Sequence, residues 1–386
     1  MSSAGPVLAA VRSDARIPLF DLQRQRARLE RDIRRRMDAV LAHGQFILGP
    51  EVDELETKLG AFARARHCIA VSSGRDALMI ALMAMDVKPG DAVFVPAFTF
   101  AATAGAVVSV GGVPVFVDVD PDTFNMDPVD LERAIAETKA AGRNARVVMP
   151  VDLYGLPADY DAIGAIAERH GVIVLADAAQ SFGGGIRGKR AGALAPVSAT
   201  SFYPTKPLGC YGDGGAILTE DDGLAERIRM IRSHGRAGTG DEAVVLGLTG
   251  RLDTLQAAIL LAKLEVFDLE LARRRAIAAR YSLALGTAVG TQSVGDGFES
   301  AVAIYTIRAP DRDRLRAGLV AVGISTGLFY RLALHQHPAF RAFDGRQLPV
   351  SERLAAEVLS LPMSPDLTDE EVETVIEAVI SAARIS

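Results

Sequence analysis

Six short apolar runs, CIAV, AVFVP, PVFVDVD, ARVVM, VIVLAD and AILTE, punctuate the first two-thirds of the chain, and a helical pattern follows each of the first four. Strands with both faces covered read as continuous apolar runs, and parallel neighbours need a crossover, usually a helix, between them. The alternation therefore predicts an α/β fold, with a doubly wound, mostly parallel sheet and right-handed crossovers. From about Leu252 the pattern changes. TLQAAILLAKLEVFDLELARRRAIAARY reads as one long linking helix, and AVAIYTIRAP, DRDRLRAGLVAVG and a final helix after TDEEV read as a smaller α/β unit. We expect a disordered lead-in over 1–16, a large domain over 17–255, and a linking helix with a small C-terminal domain over 256–386. Thr368 or Asp369 is the expected cap of the last helix.

A chain of 386 residues, 49% hydrophobic, accommodates two such units. Its net charge of -6 gives no electrostatic ground for binding nucleic acid or anionic membrane. The longest apolar run, Phe98 to Gly112, contains glycines and falls short of the ~18 residues that span a bilayer. Two cysteines, Cys68 and Cys210, are too few for a disulfide framework or zinc cluster. A cytoplasmic protein without a metal is the expectation.

Six lysines allow each to be weighed. Lys58, Lys139 and Lys263 lie on helical segments of ordinary amphipathic character, and Lys88 and Lys189 lie in turns. Lys206 differs. It sits between Pro204 and Pro207 in SFYPTKPLGCYGDGGA, a stiff loop with apolar neighbours. Burial favours the neutral amine, which attacks carbonyls to form a Schiff base; a lysine snorkelling from a loop is the competing reading. Asp177 ends VIVLAD, with Gln180 close behind, where ligands of doubly wound sheets bind. A carboxylate there suits pyridoxal 5'-phosphate (PLP), whose pyridine nitrogen must stay protonated for the ring to act as an electron sink. In VSSGRDAL a helix begins on Ser72 or Ser73 and a glycine, and free amides at a helix start attract phosphate. A Schiff-base lysine, a ring-nitrogen partner and an anion cup together specify PLP.

Three other patterns fail on context. GGGIRGKR fits a phosphate loop only formally, since no helix follows it. Asp118, Asp120 and Asp122 suggest a calcium loop, but Thr123 occupies its glycine position. No cysteine or acidic cluster completes a metal set around His335 and His337.

SSGRDAL, PAFTFAATA, DAAQSFG, SFYPTKPLGCYGDGGA, HGR, RLDTLQAAIL and LSLPMSPDLT together resemble the DegT/DnrJ/EryC1/StrS family, from about Ile17 to the C-terminus. These are fold-type I, PLP-dependent aminotransferases of sugar biosynthesis. The resemblance implies a homodimer with active sites at the interface and ping-pong transfer from L-glutamate to a nucleotide-linked keto sugar. By position, Lys206 would hold the cofactor and move the proton, Asp177 would pair with the ring nitrogen, and Gln180 would lie near the ring hydroxyl. Phe100 would stack on the ring, and Ser201 with Gly74 and Arg75 would hold the phosphate. From the partner subunit, Thr249 would reach the phosphate and Arg251 the substrate. Tyr330 and His335 match a late substrate-side motif.

Within the family, KPLGCYGDGGA, RLDTLQAAILLAKLEVF and LPMSP most resemble aminotransferases acting on UDP-2-acetamido-2-deoxy-3-oxo-glucuronate. A 4-keto-6-deoxy nucleotide sugar is the alternative substrate. A non-catalytic regulator and a dehydratase share the fold, but the dehydratase carries histidine in place of Lys206. Five residues depart from the usual pattern: Arg75, Asp152, Thr249, Phe329 and Arg331. Arg75 is expected to add a charged clamp to the phosphate cup, and all five are expected to act on the substrate pocket.

Overall fold

The computed structural model describes residues 17–238, 240–343 and 345–384, so the lead-in expected over 1–16 lies outside the described residues. Five strands form the first half of a central sheet: β1 (His67–Val71), β2 (Ala92–Pro96), β3 (Val113–Val117), β4 (Ala145–Val148) and β5 (Ile173–Asp177). Two helices precede them, α1 (Leu22–His43) and α2 (Pro50–Ala63). Between successive strands run α3 (Gly74–Ala84), α4 (Ala101–Ser109), α5 (Pro128–Ala140) and α6 (Tyr160–His170). GGGIRGKR forms a small hairpin, β6 (Gly185–Ile186) and β7 (Lys189–Arg190), rather than a phosphate loop. Then come β8 (Val197–Ser201), β9 (Gly215–Thr219) and α7 (Asp222–Arg232).

The sheet has seven strands in the order β1-β9-β8-β5-β4-β2-β3. β9 runs antiparallel to both its neighbours, and the remaining pairings are parallel. The carboxyl ends of β1, β2, β4, β5 and β8 therefore share one edge. β8, VSATS, is a strand that the apolar runs did not reveal. Its pairing with β5 and β9 on either side satisfies its backbone and buries Ser198 and Thr200. On one face, Leu78 of α3, Val107 of α4 and Ile228 of α7 pack on Val95, Leu175 and Ile217. On the other, Leu131 of α5 and Ile163 of α6 pack on Phe94, Val148 and Val174.

The long helix expected after Leu252 is two helices, α8 (Thr254–Leu264) and α9 (Phe267–Leu285). No proline or glycine breaks it. Phe267 instead turns into an aromatic cluster, 5.4 Å from Phe62 and 6.0 Å from Phe182, and this packing overrides local propensity. Two short strands, β10 (Gly290–Thr291) and β11 (Phe298–Glu299), follow; β11 joins the β6–β7 hairpin. The second unit then adds β12 (Tyr305–Arg308), α10 (Arg312–Ala321), α11 (Pro349–Glu357), β13 (Val358–Leu361) and α12 (Asp369–Arg384). Its core joins Ile277, Leu319 and Val375 to Ile307 and Leu359. Thr368 caps α12: its Oγ accepts from Glu371 N at 3.2 Å while Glu371 accepts from Thr368 N at 2.9 Å.

β1 lies at the edge of the large sheet, and side chains complete it. Glu56 of α2 accepts from Ala70 N at 2.9 Å, Arg232 of α7 donates to Ala70 O at 2.9 Å, and the two side chains meet at 2.5 Å. Together they act as a partner strand one residue long. Arg232→Met leaves Glu56 with a largely buried, unpaired charge and should cost about 3 kcal/mol. Chemical unfolding measures this; a loss within experimental error would show that the pair is dispensable.

Candidate active site

At the carboxyl end of β1, Ser73 caps α3 by accepting from Asp76 N at 3.0 Å, and Ser72 donates to Asp76 Oδ2 at 2.6 Å. First-turn amides of a helix have no carbonyl within the helix to bind, which leaves those of Gly74 and Arg75 for an anion. Ser201, the last residue of β8, presses against this turn. A Cβ at Gly74 would lie 2.5 Å from Ser201 Cβ, so only glycine permits the approach. The Arg75 side chain does not close over this cup. Its Nη2 donates to Ser109 Oγ at 2.7 Å at the end of α4, so the expected charged clamp is not formed.

Asp177 ends β5 at 5% exposure, accepting from Thr103 Oγ1 at 2.8 Å and Ala179 N at 3.3 Å. Burial pushes its carboxyl up, against these bonds and the charge of Lys206. Lys206 sits in the turn after β8, its N–H bonded to Tyr203 O at 2.8 Å. Burial of its amine lowers the pKa to about 8, against the pull of Asp177. Gln180 accepts from Tyr154 N at 2.9 Å. Phe100 caps α4 at 56% exposure, its ring 5.9 Å from that of Tyr330, which also contacts Phe98 at 6.3 Å. Burial, and with it the charge of Asp177, pushes the Tyr330 hydroxyl well up.

Gly74, Arg75, Ser201, Lys206, Asp177, Gln180, Phe100 and Tyr330 thus gather along one edge of the sheet. These residues fit PLP. The cup between Gly74 and Ser201 has free amides that would suit a phosphate, the buried Asp177 carboxyl lacks a strong cationic partner that a protonated ring nitrogen would supply, and Phe100 offers an exposed aromatic face. Thr249 and Arg251 lie on the segment that bridges Ser233 on one side and Val71 on the other. Thr249 is exposed, 3.4 Å from His234 Nε2, and Arg251 Nε has no hydrogen-bond partner. His335 is set apart. At 3% exposure its Nε2 lies 3.0 Å from Glu352 Oε1 on α11, and its ring packs 6.3 Å from Phe116.

Sequence reasoning missed Thr103, although PAFTFAATA contains it, because nothing local marks its contact with Asp177. Asp152, expected in the substrate pocket, is 1% exposed behind the site. It accepts from Ala158 N at 2.9 Å, Tyr160 OH at 2.8 Å and Ser181 Oγ at 2.5 Å. Lys263, expected on an amphipathic face, is also 1% exposed.

The chain matches the model of the DegT/DnrJ/EryC1/StrS aminotransferase family over residues 27–380. It belongs to that family. A Pseudomonas aeruginosa relative named UDP-2-acetamido-2-deoxy-3-oxo-D-glucuronate aminotransferase is 47% identical, over 94% of this chain and 99% of its own. A Geobacillus stearothermophilus relative named pleiotropic regulatory protein is 45% identical, over 94% of this chain and 97% of its own. Among solved structures, a family aminotransferase from Brucella abortus superposes with a TM-score of 0.92 at 46% identity, covering 94% of this chain and 98% of its own. A Bacillus subtilis protein solved with bound cofactor PMP gives 0.87 at 30% identity, covering 97% of this chain and 86% of its own. The family is PLP-dependent, and this aminotransferase takes PLP. Among the described residues no helix is long and apolar enough to cross a membrane, and no three potential metal ligands cluster.

Burial raises the Asp152 carboxyl to about 7, overriding its hydrogen bonds. Between the ordinary carboxyl value and about 7, the folded chain keeps a proton that the unfolded chain gives up. Folding stability from this group therefore falls as pH rises through that window. Asp152→Asn keeps an acceptor for Ala158 and Tyr160 but removes the titration. Its stability relative to the parent should climb between pH 4 and 7, by up to about 1.4 kcal/mol per unit. Melting temperatures across that range test it, and a constant difference would refute it.

Proposed function

We propose that the chain transfers an amino group from L-glutamate to the ketone of UDP-2-acetamido-2-deoxy-3-oxo-glucuronate, using Lys206 as the cofactor-bearing lysine. The observation that carries the chemistry is the convergence of Lys206, Asp177 and the Gly74–Ser201 cup on one sheet edge. Near-full-length identity of 47% to a relative named for that sugar supports the substrate. Bound PLP supplies an electron-sink ring through which an amino group and a proton can be exchanged.

The residues divide the remaining work. The amides of Gly74 and Arg75 and the Ser201 hydroxyl hold the phosphate, Asp177 keeps a positive charge at the ring nitrogen, and Phe100 and Tyr330 wall the ring. Lys206 Nζ, no longer tied to the cofactor, would take the proton from the donor α-carbon as general base and, as general acid, hand it to the cofactor side rather than back to that carbon. With one water taken up, glutamate would leave as 2-oxoglutarate with its amino group kept on the cofactor, and the reverse sequence on the sugar ketone would pass that amino group on and release water. Kinetics are ping-pong. The relative named as a regulator motivates a second reading, a protein of this fold without catalysis. The intact lysine, aspartate and cup favour the enzyme.

The working form is a cytoplasmic homodimer in which Thr249 and Arg251 reach the partner's site. Exposed Phe46, Ile47 and Leu48 after α1, together with exposed Tyr203, offer apolar surface for the second subunit. The unpartnered Arg251 suits a substrate anion.

Adding L-glutamate to PLP-loaded protein should bleach its yellow absorbance, and Lys206→Ala should slow this step by about 10²–10⁴-fold. Protein that stays colourless with PLP would favour the regulator. The 3-oxo-glucuronate sugar should then restore the colour and a 4-keto-6-deoxy sugar should not; the reverse result would reassign the substrate. Mixing Lys206→Ala with Arg251→Ala chains through unfolding and refolding should recover about a quarter of the parent activity. Random pairing makes half of the dimers mixed, each with one intact site. No recovery would place Arg251 in the site of its own chain.

A further inference from the structure

Lys263, on α8, is almost completely buried among Ala258, Ile259, Leu260 and Ala262, yet it carries an amine. Among the described residues no carboxylate forms an ion pair with it. Glu270, an acid whose charge acts on it, is occupied by Gln25 at 2.8 Å and Arg28 at 2.5 Å. Its partners belong to the loop that carries Lys206. Nζ donates to Gly209 O at 2.6 Å and sits 4.3 Å above the Tyr211 ring. Seven residues earlier, on the same stripe of α8, Gln256 accepts from Tyr211 N at 2.9 Å.

We propose that Lys263 is a positioning residue for Lys206, fixing through Gly209 the turn from which Lys206 enters the cleft. The inference rests on the reading of Lys206 as the cofactor-bearing lysine. Gly209 is the mechanical link. A Cβ there would lie 2.5 Å from Pro204 O and 2.7 Å from Tyr203 O, so the turn closes on itself at this point. A displaced Gly209 carries Pro204 with it, two residues before Lys206. Two of the turn's other hydrogen bonds, Lys206 N to Tyr203 O and Cys210 N to Phe202 O, each 2.8 Å, are internal to the loop. Leu208 and Cys210 pack into the apolar core shared with α2 and α8, and the polar ties from outside to Gly209 and Tyr211 among the described residues come from Lys263 and Gln256 of α8.

A buried ammonium without a carboxylate costs folding free energy, and an apolar side chain of equal length would pack with its neighbours. The charge is therefore explained by what it holds. A charge-assisted bond and a cation over an aromatic face fix a carbonyl more firmly than a neutral donor does. Burial lowers this amine to about 8, which agrees with a group placed at a cost to the fold.

Lys263→Met and Lys263→Arg, made in the full chain, test the proposal with two readouts. In cofactor-free protein, the amides of Lys206 and Cys210 should exchange with solvent about tenfold faster in Lys263→Met, and Ala199 in β8 should not change. In PLP-loaded protein, saturating L-glutamate should bleach the colour about tenfold more slowly, while the half-saturating concentration stays within about twofold. Lys263→Arg should recover most of both losses. Unchanged exchange at Lys206 and Cys210, or equal acceleration at Ala199, would reduce Lys263 to a core residue and overturn the proposal. If exchange changes as expected but the parent protein never responds to glutamate, the reading of Lys206 fails instead, and only the anchoring of the turn survives.

Discussion

Burying the Asp177 carboxyl at the end of β5 obliges the cleft around it to supply positive charge. A carboxylate removed from water is costly unless it is paired, and Thr103 and Ala179 offer only neutral donors. Lys206 is the cation in the vicinity, yet burial holds its own pKa down. Carboxyl raised and amine lowered, the two groups compensate each other only in part, and their titrations are linked. A protonated ring nitrogen held near Asp177 would relieve that conflict. It would supply the missing charge and leave the Lys206 amine free for proton transfer, so on the proposed reading cofactor selection and lysine reactivity trace to one buried carboxyl.

The scaffold serves this arrangement by bringing strand ends together. β1 is parallel to β8 because β9 runs antiparallel between them, so Ser73 and Ser201 leave their strands on the same edge. Two glycines then allow contact: Gly74 against Ser201, and Gly215 against the Ser73 backbone, where a Cβ would fall 2.6 Å from Ser73 C. On the proposed reading the cup would hold its phosphate with amides and one hydroxyl. Arg75, held by Ser109, contributes its charge from outside. Because β1 is also an edge strand, the segment with Thr249 and Arg251 can pair beside it, with Thr249 left exposed.

Legibility in the sequence followed how local each signal is. The parallel core was readable because its strands are apolar throughout, while β8 was not, since Ser198 and Thr200 are buried by neighbours distant in sequence. Lys206 was conspicuous between prolines, and Asp177 stood at the end of an obvious strand. Thr103, Asp152 and Lys263 act through partners 74, 29 and 54 residues away, and no spacing rule marks such contacts. For Lys263 one signal existed. α8 is apolar on nearly every side, and a helix of that kind is buried all round. The break before Phe267 was invisible because an aromatic cluster, not a breaker residue, produces it.

Asp152 and Asp177 are joined more closely than their separation in sequence suggests. Asp152 N donates to Asp177 O at 3.1 Å, and Asp177 N donates to Pro150 O at 2.9 Å. The two carboxyls repel across this short bridge, and the charge of Asp177 adds to the burial that raises Asp152. A cation in front of Asp177 favours its ionised form. That negative charge would make ionisation of Asp152 still harder. Ser181 and Tyr160 can serve a neutral acid as well as an anion, because a hydroxyl accepts as readily as it donates. On the proposed reading the pair would present a single negative charge to the ring, with both carboxyls buried.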